Sequence, residues 1–334
     1  MLKEILDTNK ILEAPSLSAT DITTFLNANG TLSQTTTMPV TMPNPTDSFH
    51  VITALIRGAD GKSNGGTAPT TCIIGQLGGL AVRPYEPGLV SDADGAICSL
   101  AVAKKLIDMS NTGDQLAGDI IVTTHNCTRP PLRLDSLGQP IYPYSILAPT
   151  TMDNIHKIML ASIEQFSGAS SSQVDTFFSV DATKGNDFAN FPGFAITPVV
   201  VNGWIVPLTE DLIAEVSQTT GFTPNILPLS IYDITPYELL YNPDFTINIT
   251  RINSILAPSI QTNKPYVGVA TTVQVNVPGS AGSANFFTSL ESAGRFMLEA
   301  SRKLGEARYK VYNESAFASA EGQLDLSDFR TMGI

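Results

Sequence analysis

LVSDADGAICSLAVAKKLIDMSNTGDQLAGDIIVTTH, residues 89–125, places a helix and a buried strand in one continuous unit. Apolar residues recur at helical spacing through 95–109, behind the acidic turn Asp92-Ala93-Asp94-Gly95. GDIIVTTH (118–125) is a short apolar, β-branched run of strand length. The pattern then repeats, with a helix expected over 150–166 and a strand at DTFFSVDA, 175–182. Strands alternating with helices imply a mostly parallel sheet covered on both faces, which is a three-layer α-β-α architecture.

Upstream, residues 2–13 and 19–29 read as two polar helices, the second opening with cap chemistry at Ser18-Ala19-Thr20-Asp21. The Pro- and Thr-rich TLSQTTTMPVTMPNPTD (31–47) reads as a linker, so residues 1–45 are expected to be a helical appendage and residues 46–334 a single α/β domain. FHVITALIRG and TTCIIGQLGG, separated by the flexible DGKSNGGTAP, are expected as a hairpin or as two neighbouring strands. Downstream, FAITPVVV, WIVPL, NILPLSIYDI and YVGVATTVQV read as strands, and TEDLIAEVSQTTG as a capped helix ending at Gly221. SLESAGRFMLEASRKLG aligns Leu290, Ala293, Met297, Ala300 and Leu304 on one stripe, a terminal helix covering the core.

At 334 residues the chain buries a sizeable core without disulfides or structural metal. A net charge of -12 argues against nucleic acid or an anionic membrane as the main partner and favours a small molecule or peptide. Cys72, Cys98 and Cys127 have no paired spacing, MLKEILDTNKIL has no secretory apolar core, and no run approaches the ~18 apolar residues of a membrane span. A cytoplasmic setting is the expectation, and a homodimer is the commonest assembly.

Ligands of open parallel sheets bind beyond the carboxyl ends of the strands. Four polar clusters fall at such ends: Gln76, Asp92 with Asp94, His125 through Asn126 to Cys127, and Asp181 through Lys184 to Asn186. One carboxylate at 92–94 is accounted for by helix capping, and the second is open to a metal. His125 and Cys127, two apart on a strand, are zinc-type ligands, although His-x-Cys also suits a hydrogen-bonded strand end, or a Cys127 nucleophile with His125 as base. SVDATKGND suits an Asx-type turn as well as a site. The order Asp92, His125, Asp181 along successive strands is what a shared site requires.

Other features carry less. Asp233, Tyr237 and Glu238 suit a capped turn or a pocket wall, VPGSAGSANFF lacks the Walker lysine and GxGxxG spacing, and His50 and His156 read as structural. HExxH, GxSxG and CxxC do not occur.

The succession GQLGG, SDADGA, LAGDIIVTTHN, SVDATKG resembles the core of the co-catalytic zinc exopeptidases, a superfamily of aminopeptidases, carboxypeptidases and amidohydrolases with a phosphorylase/hydrolase-like α/β fold. That resemblance spans chiefly residues 70–182. SDADGA, TTHNC, DATKGN and DITPY are more closely similar to an uncharacterised prokaryotic family catalogued as a domain of unknown function, over most of residues 45–315. The peptidase resemblance implies Asp92 as a bridging metal ligand and Asp181 as a late acidic ligand. The sequence departs from it at Gln76 and Gly78, where His-x-Asp is expected, at His125-Asn126-Cys127, where an acidic pair is expected, and in having no histidine after His156.

The expectation is therefore a hydrolase of a small peptide, amide or amino-acid-derived substrate. It would hold at most one divalent ion, zinc, on Asp92, His125 and Asp181. His125, Cys127 and Lys184 are the catalytic candidates, and Gln76, Asp94, Asn126 and Asn186 line the pocket. A metal-free ligand-binding protein of the same fold is the alternative, and a Cys127-dependent amidase a third reading.

Overall fold

The computed structural model describes residues 1–14, 17–41, 48–75, 80–82, 87–89, 93–126, 133–134, 140–141, 152–183, 193–229, 262–272 and 284–323, with Leu256 and Ser259. Two helices open the chain, α1 (Leu2–Leu12) and α2 (Ala19–Leu26), followed by strands β1 (Ser33–Val40), β2 (Phe49–Ile56) and β3 (Thr70–Gly75). A small hairpin, β4 (Leu80–Val82) with β5 (Pro87–Leu89), precedes α3 (Asp94–Asn111) and β6 (Ile120–His125). A second hairpin pairs β7 (Arg133–Leu134) with β8 (Pro140–Ile141), and α4 (Met152–Ile163) leads to β9 (Val174–Thr183). There follow β10 (Gly193–Val201), β11 (Trp204–Val206), α5 (Glu210–Thr220), β12 (Asn225–Ile226), β13 (Tyr266–Thr272), α6 (Ala284–Gly305) and α7 (Glu314–Gln323).

The main sheet runs β1-β2-β6-β3-β9-β13-β10-β11, with β12 also paired to β10. Its four central strands, β6, β3, β9 and β13, are mutually parallel. Antiparallel strands flank them on both sides. Side chains alternate between the two faces. Ile73, Val122, Phe178, Val180, Val267 and Val269 pack with α1, α3 and α6 on one face. Cys72, Ile74, Ile121, Phe177, Tyr266 and Ala270 pack with Met159, Leu160 and Ile163 of α4 on the other. The expected three-layer α-β-α architecture is the one observed.

Helix α3 is apolar nearly all round, with Ala96, Ile97, Leu100, Ala101, Ala103 and Leu106 all buried. A helix of that kind needs cover on both sides. The sheet covers one, and α1 and α6 cover the other. Ile5, Leu12, Ile22 and Leu26 belong to the same core as α3. Residues 2–12 and 19–26 are thus part of the domain core rather than an appendage to it. The expected cap of α2 is present: Asp21 N–H donates to Ser18 Oγ at 3.1 Å and Ser18 N–H to Asp21 Oδ2 at 2.9 Å.

Two expectations are corrected. SQTTTMPV, read within a linker, is the edge strand β1, paired antiparallel with β2 along its whole length. Its polar residues and Pro39 belong on a partly solvated edge. Strands β2 and β3 are neither a hairpin nor neighbours, because β6 lies between them.

The loop between β2 and β3 is fastened to the start of β6. The carboxylate of Asp119, immediately before β6 and only 2% exposed, accepts from Gly58 N–H at 2.9 Å, Ser63 N–H at 2.7 Å and Ser63 Oγ–H at 2.8 Å. A Cβ on Gly61 would stand 1.9 Å from Asp119 Oδ1, so only glycine permits this approach. The supposedly flexible DGKSNGGTAP is therefore folded around one buried carboxylate. Lys62 adds an ion pair to Asp175 at 2.6 Å, and Asp175 also accepts from Thr70 N–H at 2.7 Å, joining the loop to β3 and β9.

Asp119→Ala strands three donors and is expected to cost about 3 kcal/mol in urea unfolding, with Asp119→Asn costing less. A loss below about 1 kcal/mol for the alanine variant would show that the loop is held by other contacts.

Candidate active site at the carboxyl ends of the central strands

Register places the functional side chains. Ile74 of β3 pairs with Thr123 of β6 on one side and with Ser179 of β9 on the other. Two residues further along each strand, His125 and Asp181 stand level, separated by the width of two strand spacings, about 10 Å. Both face the α4 layer: His125 shares the parity of Thr123, which meets Thr53 and through it Ser162 of α4, and Asp181 shares the parity of Phe177.

His125 is 3% exposed, and its ring lies 5.7 Å from that of Phe49. Burial lowers its pKa to about 4, so the imidazole is neutral near pH 7. A neutral imidazole has an acceptor nitrogen, as a general base or a metal ligand requires. Asn126 is tied to the neighbouring strand: its Oδ1 accepts from His50 N–H at 2.7 Å, and its N–H donates to the His50 carbonyl at 3.0 Å. Its amide oxygen thereby extends the β2–β6 ladder by one step.

Asp181 is partly exposed at the end of β9, with Oδ1 2.7 Å from the amide of Ala182. Asp94 approaches from the opposite layer. It is 1% exposed, and its Oδ2 accepts from Thr271 Oγ–H at 2.6 Å. The same hydroxyl lies 3.5 Å from the carbonyl oxygen of Asp181. Asp94 is the first residue of α3, a helix-start position where the dipole favours its charge. Its carboxylate also joins the first turn of α3 to the end of β13, beside β9. One turn further on, burial and then the charge of Asp94 push the Cys98 thiol up, and burial does the same for Cys72, so both thiols are unreactive.

Of the residues singled out in the sequence, His125, Asn126, Asp181 and Asp94 are brought to this sheet edge. Gln76, Asp92, Cys127, Lys184 and Asn186 lie outside the described residues, as do Asp233, Tyr237 and Glu238. Among the described residues no group of three His, Cys, Asp or Glu side chains is close enough to hold a metal ion. Thr271 was not foreseen: a threonine near the end of an apolar strand carries no signal until its pairing with Asp94 is known.

The sequence of a family described as a protein of unknown function (DUF1177) matches residues 41–333. No curated protein matches the chain. Among solved structures, the chain is similar to a leucyl aminopeptidase from Trypanosoma brucei, with a TM-score of 0.47 at 12% identity over 88% of this chain and 60% of that one. It therefore spans about three fifths of the trypanosomal enzyme. An aminopeptidase from Bacillus cereus gives 0.46 at 7% identity, over 91% and 99% of the two chains. A glutaminyl cyclase from an Acidobacteriales bacterium gives 0.43 at 10%, over 92% and 94%.

The burial of His125 predicts a pH dependence. Below pH 6.5 the unfolded chain binds a proton at this histidine that the folded chain does not accept until about pH 4, so stability is full above 6.5 and falls as pH drops through that window. The loss approaches about 3 kcal/mol when protonation is complete. In chelator-treated protein, His125→Leu is expected to flatten this part of the urea-midpoint profile. An unchanged slope between pH 6.5 and 4 would assign it to other groups.

Proposed function

The chain belongs to the DUF1177 family of proteins of unknown function, and we propose that it is a hydrolase of a small peptide, amide or amino-acid-derived substrate, acting at the carboxyl ends of β6, β3 and β9. The observation that carries this reading is the level placement of His125 and Asp181 across the end of β3. It sets a neutral imidazole and a partly exposed carboxylate on one face of the sheet, about 10 Å apart at the backbone. The position is the one where open parallel sheets bind ligands.

A divalent ion fits the donors present as far as they go. Imidazole and carboxylate are both zinc-type ligands, and His125 is already in the deprotonated form that binding needs. His125 and Asp181 would hold it, with Asp92 as the third ligand carried over from the exopeptidase resemblance. When bound, such an ion lowers the pKa of a coordinated water toward neutrality and polarises a substrate carbonyl. The chain's own contribution is positioning. The β2–β6 ladder, extended by Asn126, fixes His125, and the Asp94–Thr271 bond fixes the edge of β13 against the backbone of Asp181.

A second reading, a metal-free binding protein using the same cleft, is favoured by one feature. Asp94 and Asn126 both use side-chain oxygens in internal bonds, to Thr271 and His50, rather than leaving them for a metal.

Metal analysis of protein purified without chelators or a metal-carrying tag, followed by a panel of amino-acid amides and dipeptides, tests the proposal. About one divalent ion per chain is expected, with hydrolysis that falls by about 100-fold or more in Asp181→Asn while the unfolding midpoint is retained. Metal-free wild-type protein that binds the panel compounds without cleaving them would replace the hydrolase with the binding protein. Protein that neither binds nor cleaves any of them would remove both readings.

A further inference from the structure

At the other end of the sheet a separate cavity of about 520 Å³ opens between β11, the start of α5, and α7. Its place follows from a tight turn: Val201 pairs with Trp204 across the two-residue loop Asn202-Gly203, with φ of 51° and 78°, as a type I′ hairpin requires. Because Val200 pairs with Tyr266, the first residue of β13, Trp204 sits near the amino ends of the parallel strands. Six residues of β13 separate that level from Thr272, about 20 Å along the sheet. The cavity is thus distinct from the strand-end site.

Its walls have a specific chemistry. Phe317 of α7 meets Trp204 at 6.3 Å and 79°, and Tyr312 at 5.7 Å and 85°. All three rings line the same space, with Trp204 and Tyr312 each close to perpendicular to Phe317. The polar part of the lining is acidic, with Glu210, Asp211 and Glu321, and no lysine or arginine lines it among the described residues. Glu210 and Asp211 stand in the first turn of α5, and Glu321 Oε1 accepts from Asn202 Nδ2 at 2.9 Å. Aromatic faces carry negative potential, and carboxylates around them add to it.

A simpler role for the rings is to glue α7 to β11. That role explains the contacts of Phe317, and it leaves beside the joint a solvent-open cavity of ligand size. We propose that this cavity binds an organic cation with a methylated ammonium head group, held by the faces of Trp204, Tyr312 and Phe317 and by the charges of Glu210, Asp211 and Glu321. A methylated ammonium suits the walls better than a bare one, because its methyl groups bury against rings while its charge needs no hydrogen-bond acceptor of fixed geometry. The site stands independently of the hydrolase reading, since it shares no residue with the strand ends.

Trp204 is the chain's single tryptophan, so its fluorescence reports on this cavity alone. The full-length protein is titrated at constant ionic strength with choline, and separately with the neutral isostere in which carbon replaces the nitrogen. A saturable change in Trp204 emission is expected for choline, with affinity about fivefold or more above that of the isostere. Phe317→Leu is expected to weaken choline binding by about threefold to tenfold, and Glu321→Gln, which keeps shape and removes charge, by less. Equal affinity for choline and its isostere would reduce the cavity to an apolar hole. The absence of a saturable response in wild-type protein, with no heat of binding by calorimetry, would overturn the proposal outright.

Discussion

One buried carboxylate ties the start of the parallel core together. Asp119 gathers donors from Gly58 and Ser63 at the point where β6 begins, and so folds the loop after β2 over the start of a strand that comes much later in the chain. With that loop fixed, β3 starts on the far side of β6, and Asp175 fastens its first residue to β9. Strands β6, β3 and β9 then run parallel in register. The ends carrying His125 and Asp181 are positioned by a polar tie at the opposite edge of the sheet, one strand length away. Removing a partner from such a tie leaves buried donors unpaid, so its effect exceeds that of any exposed ion pair on the surface.

The second constraint is the apolar helix α3. Because it offers almost no polar face, it cannot be an outer layer, and α1 and α6 close over it. Its buried position also explains Asp94. A carboxylate in the first turn of a helix enclosed on every side has to find a donor within the protein, and the Thr271 hydroxyl is one. The helix dipole favours the charge at that end, and the bond secures the helix start to the end of β13.

The parallel core was legible because its signals are local and strong: continuous apolar runs of strand length, separated by helices with a clear stripe. What was not legible depended on partners far away in sequence. SQTTTMPV has no apolar alternation, and only its pairing with β2 makes it a strand. ESAFASAEGQ, which forms α7, has too weak a stripe to be read as a helix, and it docks largely through Phe317. At the site, that His125 and Asp181 lie at strand ends could be read from the sequence, but not that they stand level, since register is set by β3 between them. Locally, capping suffices to explain one carboxylate of the Asp92–Asp94 pair. The Thr271 contact, 177 positions away, gives the Asp94 carboxylate a role that no local pattern encodes.

The geometry of the edge also limits where chemistry can occur. His125 and Asp181 face the α4 layer, whereas Asp94 belongs to the α3 layer, and within the sheet the strands keep those two faces apart. On the α3 side the Thr271 hydroxyl, still within the paired part of β13, touches the Asp94 carboxylate and the backbone carbonyl of Asp181, whose own carboxylate faces the other layer. A group beyond the strand ends is open to both layers at once, while one placed along the strands meets only one.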